Sequence, residues 1–469
     1  MQDTQAGEST PRSRGWLRPA LFLVLVYLAA AVPVILFMGA RGRAGEDQIN
    51  YHEPAVHTFA AALPSPDLSD YLSATTPGYH LVLAAVERAI SGDARVLQLA
   101  GAVFTVLLLL LLVRTVWSSC ERNWLETLAI CLPFACSMYV FQAGVWLLPD
   151  NAGWLFVLAC LAVALGEPYG RRTIILGGLA LIGIVLFRQV HFWVAGALWA
   201  AAWLAPGIDA PGGVRQLLTR LPARVRSLGV MLVASLPAVL LLAWFIRMWG
   251  GLTPPSFQGQ YSGVNFAGYA FVLSLIGIGS LFFVFYLLDP LVDMVKARRR
   301  DAVLAALAGA GVAIIPATTL DVPGGRFSGL WAVAKWPVIA GHTSPVIVVC
   351  SALGAVMLLA WCRVVSLRDR WIVLGVWFGF STAQVVSYQL WQRYSEPMVL
   401  MMLALMAARS RGICAGGTVT AKLLRPLRIG SVSMLALLLA ALTAFTVFRS
   451  RPAAVYTPNH SQTPASAVP

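Results

Sequence analysis

The stretch LRPALFLVLVYLAAAVPVILFMGA, residues 17–40, is the first of many long apolar runs in the chain. Arg18 is its one charged residue, and at ~1.5 Å per residue a helix of this length crosses the ~30 Å hydrocarbon core of a bilayer. The run is too long for a signal peptide, and no small-residue cleavage site lies before the polar segment that follows. We therefore expect a retained transmembrane helix.

Comparable runs continue along the whole chain. Of its 469 residues, 59% are hydrophobic and 12% are charged, about half the roughly 25% of charged residues in a soluble domain. The pattern predicts an all-α, polytopic membrane protein with about 13 transmembrane helices. The predicted spans are 17–40, 94–117, 124–143, 150–166, 173–188, 190–206, 228–249, 265–289, 301–318, 344–364, 371–389, 395–409 and 429–448.

The basic residues predict how these helices are oriented. The net charge of +14 comes largely from clusters between the spans, such as 215–226, 296–300 and 409–428. Short arginine-rich loops stay in the cytoplasm, so the charge indicates orientation and not a nucleic acid partner. The N-terminus is then cytoplasmic. Five segments are predicted to be external: 41–93, 249–264, 319–343, 389–395 and the C-terminal tail.

Two short helices are predicted in the first external segment. Residues 76–91 are apolar but too short to span, and Glu87 and Arg88 lie near their end. Counting them as a span would place every later basic cluster outside, so we expect a helix in the membrane interface. Residues 54–63 carry apolar side chains at helical spacing, with a proline at the start and another directly after.

We divide the chain into four parts, and the boundary at residue 206 rests on the family resemblance described below. We assign a cytoplasmic tail (1–16), a first membrane module (17–206, including the external loop 41–93), a variable transmembrane module (207–448) and a disordered external tail (449–469). No Walker A or G-x-G-x-x-G loop is present, which argues against a nucleotide-driven pump or a soluble nucleotide donor. The seven cysteines are scattered without a C-x-x-C pair, so no disulfide is predicted.

Polar and ionisable residues collect on the predicted external side. Such groups are costly at membrane depth and mark sites or pathways. Each also has a structural interpretation, as a solvated loop acid, a helix cap or an interfacial anchor. His52 and His57 are five residues apart, which does not fit a helical metal pair. The set comprises Asp47, His52, Glu53, Asp150, Asn151, Arg188, Gln189, His191, Asp321, Arg326, Lys335, Gln392, Arg393 and Glu396.

Several of these residues stand in motifs that resemble a known family. DQINYHEP (47–54), ATTPGYH (74–80) and LFRQVHFWV (186–194) resemble, in order and approximate spacing, motifs of the alpha-1,2-glucosyltransferases that use dolichyl-phosphate glucose. Gln48 replaces a second acid of that family. GGLTPP (250–255), GGRFSGLW (324–331) and RYSEP (393–397) resemble the wider GT-C superfamily of membrane glycosyltransferases.

The resemblance implies an inverting transferase that moves a hexose, with glucose as the candidate, from a polyprenyl-phosphate-sugar donor. The acceptor would be a lipid-linked or envelope glycan. The bias towards Arg, Ala and Gly suggests a bacterial relative, so we expect the plasma membrane, with the active site external and lipids as neighbours. No cofactor is required and no metal site is predicted, although a divalent cation is compatible with the chemistry.

The residue types suggest roles in this reaction. Asp47 is the candidate base for the acceptor hydroxyl, Glu46 is the second candidate, and Glu53 ranks lower because it begins a helix. Guanidinium groups suit a departing phosphate, and the candidates in order are Arg393, Arg326 and Arg188, followed by Lys335. Substrate-binding roles are expected for His52, Gln189, His191, Thr75, Thr76, Tyr79 and Asp150.

Two other functions stay open at this point. The same acids could carry protons or bind cargo in a transporter or flippase for a lipid-linked or polar solute. A non-catalytic membrane scaffold could also keep such a fold. The fate of the sugar–phosphate bond separates transfer from transport.

Overall fold

The protein is described by a computed structural model that covers residues 14–119, 123–166, 169–207, 217–258, 263–410 and 419–455. Within these residues the regular secondary structure is helical, apart from three isolated β-bridges. The all-α prediction is confirmed.

The α-helices follow one another with short connections. In chain order they are α1 (Leu17–Phe37), α2 (Gly42–Asp47), α3 (Glu53–Ala62), α4 (Gly78–Ala89), α5 (Ala94–Ser119), α6 (Trp124–Cys136), α7 (Met138–Val145), α8 (Asp150–Leu165), α9 (Arg171–Phe187), α10 (Ala195–Leu204), α11 (Leu221–Trp249), α12 (Ala267–Phe282), α13 (Leu288–Lys296), α14 (Arg299–Ile314), α15 (Leu330–Val333), α16 (Pro345–Val364), α17 (Leu367–Val385), α18 (Gln392–Ala408) and α19 (Val419–Arg449).

Among the described residues, five helices are long and apolar enough to cross a membrane, and they make the chain an integral membrane protein. They are α1, α5, α11, α16 and the Leu424–Arg449 part of α19, and α6 with α7 adds a sixth if this pair, bent by 68°, is one span. A helix lies at each of the thirteen predicted positions, but the count of thirteen spans is not confirmed. Several of these helices are short because a 3₁₀ turn, such as Gln189–Val194 before α10, takes up part of the apolar run.

The segments predicted to be external lie together. The Trp249 indole donates a hydrogen bond to the carbonyl of Leu68 at 2.8 Å, which joins the first external segment to the second. The amide of Leu390 donates to the carbonyl of Gly325 at 2.9 Å, which joins the third to the fourth. These contacts agree with the prediction that the external segments lie on the same face of the protein.

Basic side chains occupy the opposite helix ends. Arg368 donates to the carbonyl of Ala164 at 2.8 Å, and Arg363 pairs with Asp301 at 2.8 Å. Cations are favourable at helix C-termini, where carbonyl groups lack partners. Parts of the clusters 215–226 and 409–428 lie outside the described residues. The cytoplasmic orientation of this face stays a prediction.

The first external segment is more helical than its sequence suggests. Residues 42–62 form one continuous helical stretch, in which α2 passes through a π-helical turn, Gln48–His52, into α3. Pro54 has no amide proton to donate to the carbonyl of Asn50, and a widened turn accommodates that missing bond. The helical structure predicted for 54–63 therefore begins earlier, at residue 42.

The two predicted surface helices are present as α3 and α4. Val56 and Phe59 of α3 are fully buried, as the helical spacing of its apolar residues predicts. His57 contacts Glu87 of α4 at 2.8 Å on the exposed side. With 12 residues, α4 reaches about 18 Å, which is too short to span.

The start of the C-terminal tail packs along this segment. The amide of Ala453 donates to the carbonyl of Ala40 at 3.0 Å, and Asn50 donates to the carbonyl of Ala454 at 3.0 Å. The prediction of disorder for 449–469 therefore does not hold for residues 450–454. Residues 456–469 and the first part of the N-terminal tail, 1–13, lie outside the described residues.

Candidate functional site

Two carboxylates and two arginines form the centre of the site. Arg393 Nη1 donates to Asp47 Oδ2 at 2.6 Å, and Arg393 Nη2 donates to Asp150 Oδ2 at 2.9 Å. Arg188 Nη2 lies 3.2 Å from the other Asp150 oxygen. We call these four residues the carboxylate–arginine cluster. Their formal charges cancel, and such pairing is what allows charged groups to be buried.

Three members of the cluster come from helix ends, and Asp47 lies where α2 passes into the π-helical turn. Asp150 begins α8, Arg188 follows α9, and Arg393 lies in the first turn of α18. Backbone groups at helix ends are unsatisfied within the helix, so polar side chains and chain reversals are favoured there. The cluster thus joins four helices at the face where the external segments meet.

Gly153 lets α8 approach Arg188 closely. A Cβ atom on Gly153 would lie 2.8 Å from Arg188 Cδ and 3.0 Å from His191 Cδ2. His191 packs on Trp154, with ring centroids 4.2 Å apart. Arg188 and His191 are therefore held in place by packing, as well as by charge.

Aromatic rings cover the arginines of the cluster. The guanidinium groups of Arg188 and Arg393 lie 5.3 and 5.6 Å from the ring centroid of Tyr394. Trp391 stacks on Tyr394 with centroids 5.5 Å apart and planes inclined by 10°. Cation–π contacts stabilise a guanidinium group and fix its plane while its edge stays free for hydrogen bonds.

A cavity of about 930 Å³ opens beside the cluster. Asp47, Arg188 and Arg393 line it, whereas Asp150, with 4% of its side chain exposed, lies behind them. Predicted substrate-binding residues His52, Thr75, Gln189 and His191 also line it. Trp193 and Trp391 present aromatic surface in the same wall.

Gln189 ties three external segments together. Its Oε1 accepts from the amide of Thr76 at 3.0 Å, and its Nε2 donates to the carbonyls of Ala74 at 3.1 Å and Leu252 at 2.8 Å. The oxygen and the nitrogen of its side-chain amide are thereby hydrogen-bonded to backbone groups, so Gln189 fixes the shape of the cavity wall. Thr76 is fully buried by this contact.

His52 and His80 form a buried pair beside the cavity. His52 Nδ1 lies 3.0 Å from His80 Nε2, and the rings stack with centroids 5.2 Å apart. Burial, followed by the positive charge of Arg393, lowers the pKa of His52 to about 3. His52 is therefore neutral at physiological pH and can act as a hydrogen-bonding group.

Other predicted site residues lie away from the cavity lining. Arg326 pairs with Asp321 at 3.0 Å, and Lys335 is exposed; neither residue lines the cavity. Glu46 precedes Asp47 on a helix and so points in another direction. Tyr79 is buried behind the wall. The structure therefore does not bring these four residues to the site.

Several residues at the site were absent from the sequence assignments, among them Arg43, Tyr51, His80 and Tyr394. Arg43, Asp47 and Tyr51 follow one another at intervals of four residues, a spacing that places side chains on one helix face. Tyr51 and Arg43 line the cavity with Asp47. Recognising residues 42–52 as helical would have grouped them.

The arrangement of His, Cys, Asp and Glu side chains bears on metal binding. Within the described residues, no three or more His, Cys, Asp or Glu side chains are grouped suitably. The compatibility of the reaction with a divalent cation stays a prediction.

The chain resembles two solved structures in fold. No protein-family model matches it, and no curated protein matches it. One structure is ArnT from Cupriavidus metallidurans in the apo state, with a TM-score of 0.41 and 17% identity over 91% of this chain and 76% of that chain. The other is the same protein bound to undecaprenyl phosphate, with a TM-score of 0.38 and 16% identity over 91% of this chain and 77% of that chain.

Proposed function

We propose that the protein is a membrane glycosyltransferase that takes its sugar from a polyprenyl-phosphate donor. The observation that supports this most directly is that Asp47, Arg188 and Arg393 line one cavity. Asp47 and Arg393 are separated by 346 positions in the chain and yet are in contact. A carboxylate beside two guanidinium groups is a suitable combination for activating a hydroxyl and stabilising a departing phosphate.

Asp47 is the general base in this proposal. Its carboxylate accepts the proton of the acceptor hydroxyl while the hydroxyl oxygen forms a bond to C1 of the sugar. The bond between C1 and the phosphate oxygen breaks on the opposite face, and its electron pair leaves with the polyprenyl phosphate. The configuration at C1 is inverted, and the negative charge passes from the carboxylate to the phosphate.

Arg393 and Arg188 stabilise the departing phosphate. In the structure, Arg393 donates to Asp47 at 2.6 Å, so a donor phosphate would compete with Asp47 for the same guanidinium group. Charge-assisted, bidentate bonds to phosphate are strong enough for this exchange. Donor binding would then release the Asp47 carboxylate to accept a proton.

The sequence motifs suggest the substrate class that we propose, and residues of the cavity wall offer contacts for it. The sugar is a hexose, with glucose as the first candidate because of the sequence motifs, and the acceptor is a lipid-linked or envelope glycan. Trp193 and Trp391 offer aromatic faces for the sugar, while His52 and Thr75 offer hydrogen bonds. We place the reaction at the external face of a bacterial plasma membrane.

Reconstitution distinguishes transfer from transport. Purified protein in sealed vesicles receives polyprenyl-phosphate hexoses labelled in the sugar, together with an envelope glycolipid extract as acceptor. We expect free polyprenyl phosphate to be released and label to appear on an acceptor. A transporter or flippase would move the intact donor across the bilayer, and a scaffold would do neither. Either result would contradict the proposal.

A further inference from the structure

Arg43 is a charged residue of the cavity wall that has no role in the reaction described so far. It lies in the first turn of α2, four residues before Asp47, and its side chain is exposed and lines the cavity. Its guanidinium group lies 4.8 Å from the ring centroid of Phe327 and 5.0 Å from that of Trp391. Within the described residues, this guanidinium group makes neither a hydrogen bond nor an ion pair.

The charges of the residues that line the cavity indicate a role for Arg43. The charges of the carboxylate–arginine cluster cancel, and both of its arginines are already paired with carboxylates. Arg43 has no ion pair with a carboxylate in the described part of the chain. It therefore adds an uncompensated positive charge next to the proposed base. A departing polyprenyl phosphate gains negative charge, which such a cation would stabilise.

The aromatic contacts orient the guanidinium group of Arg43 so that it can bind an anion. Phe327 and Trp391 meet edge to face, with centroids 5.1 Å apart, and the guanidinium group lies over both rings. Stacking fixes the plane of a guanidinium group at a small entropic cost and leaves its N–H edge available. Trp391 also stacks on Tyr394, which covers Arg393. The two arginines thus flank Asp47 from two different segments.

We propose that Arg43 is a further phosphate-binding residue of the donor site and acts with Arg393 on the phosphate of the polyprenyl-linked donor. The inference rests on the proposed function. It gives Arg43 the role that the sequence suggested for Arg326 and Lys335, neither of which lines the cavity.

Two probes that differ only in the phosphate test the inference. Binding of farnesyl phosphate and of farnesol to purified protein is measured for the wild type and Arg43→Gln. We expect the substitution to weaken farnesyl phosphate binding about tenfold, the loss of one charge-assisted hydrogen bond, and to leave farnesol binding within about twofold. Arg95→Gln is the matched control, since Arg95 is an exposed arginine of the predicted external face that does not line the cavity.

The outcomes separate this inference from the proposed function. If the wild type does not prefer farnesyl phosphate to farnesol, the proposed phosphate site itself is wrong. If the wild type shows the preference and Arg43→Gln retains it fully, only the role of Arg43 is overturned. In turnover, we expect Arg43→Gln to raise KM for the donor, and a change confined to KM for the acceptor would also overturn it. Arg43→Lys should lose less affinity, because it keeps the charge.

Discussion

At the scale of single residues, Arg393 links the base to the rest of the cluster. It contacts Asp47 and Asp150 with different nitrogens, and 16% of its side chain is exposed. Asp150 is almost fully buried, so removing one of its two arginine partners would leave its charge less well compensated, which is destabilising. Arg393 therefore has a structural role and, in our proposal, binds the donor phosphate.

Arg393→Lys tests the second role while keeping the charge. Lysine cannot contact both carboxylates or a phosphate through a planar fork, so we expect kcat/KM for the donor to fall at least about tenfold. KM for the acceptor should change less. Steady-state kinetics with both substrates varied would measure this.

Arg326→Lys is the control for that substitution. Arg326 was also predicted to bind phosphate, but it pairs with Asp321 away from the cavity lining. We expect donor kinetics near those of the wild type. An equal loss in both arginine variants would argue against a specific role for Arg393.

At the scale of helices and turns, the position of Asp47 depends on α2 and the π-helical turn after it. The sequence analysis predicted a helix over 54–63 but none over 42–52. Gly45 is present for a packing reason, because a Cβ there would lie 2.7 Å from the carbonyl carbon of Ala40. Glycine thus permits a close approach inside a helix, and this cannot be recognised from the sequence alone.

Gly153→Ala tests the packing of α8 against Arg188. The new methyl group would meet Arg188 and His191 at 3.0 Å or less, so we expect transfer to fall severalfold and the free energy of unfolding to drop by about 1–3 kcal/mol. Transfer rates and thermal unfolding in detergent would show both effects.

Gly196→Ala in α10 is the matched control. A Cβ there meets nothing within 4 Å, and alanine is favoured over glycine inside a helix. We expect unchanged activity and equal or higher stability. Equal behaviour of the two variants would contradict the close contact at Gly153.

At the scale of the whole molecule, the charge pattern predicted which segments share a face but not which side chains meet. Arg326 and Arg393 were both placed outside by the same argument, yet Arg393 reaches Asp47, while Arg326 is bound by its neighbour Asp321. That difference depends on how distant helices pack, which motif order and span counting do not determine. The sequence analysis did not assign Arg43 to the site, because its contacts with Phe327 and Trp391 are also long-range.

Cysteine labelling tests the orientation. Ala61 and Arg300 are exposed and lie on opposite predicted faces. In a background in which the seven native cysteines are replaced, an impermeant maleimide added to intact cells should label Ala61→Cys. Arg300→Cys should react only after permeabilisation. The reverse pattern would show that the basic face is external.

The most direct measurement is the release of polyprenyl phosphate by the wild type and by Asp47→Asn under identical conditions. Asparagine keeps the shape of the side chain and can still accept a hydrogen bond from Arg393, but it cannot take a proton from the acceptor. We expect turnover to fall by about 10²–10⁴, the contribution of a general base, with donor affinity within a few-fold of the wild type. Turnover in Asp47→Asn close to that of the wild type would contradict the assignment of Asp47 as the base.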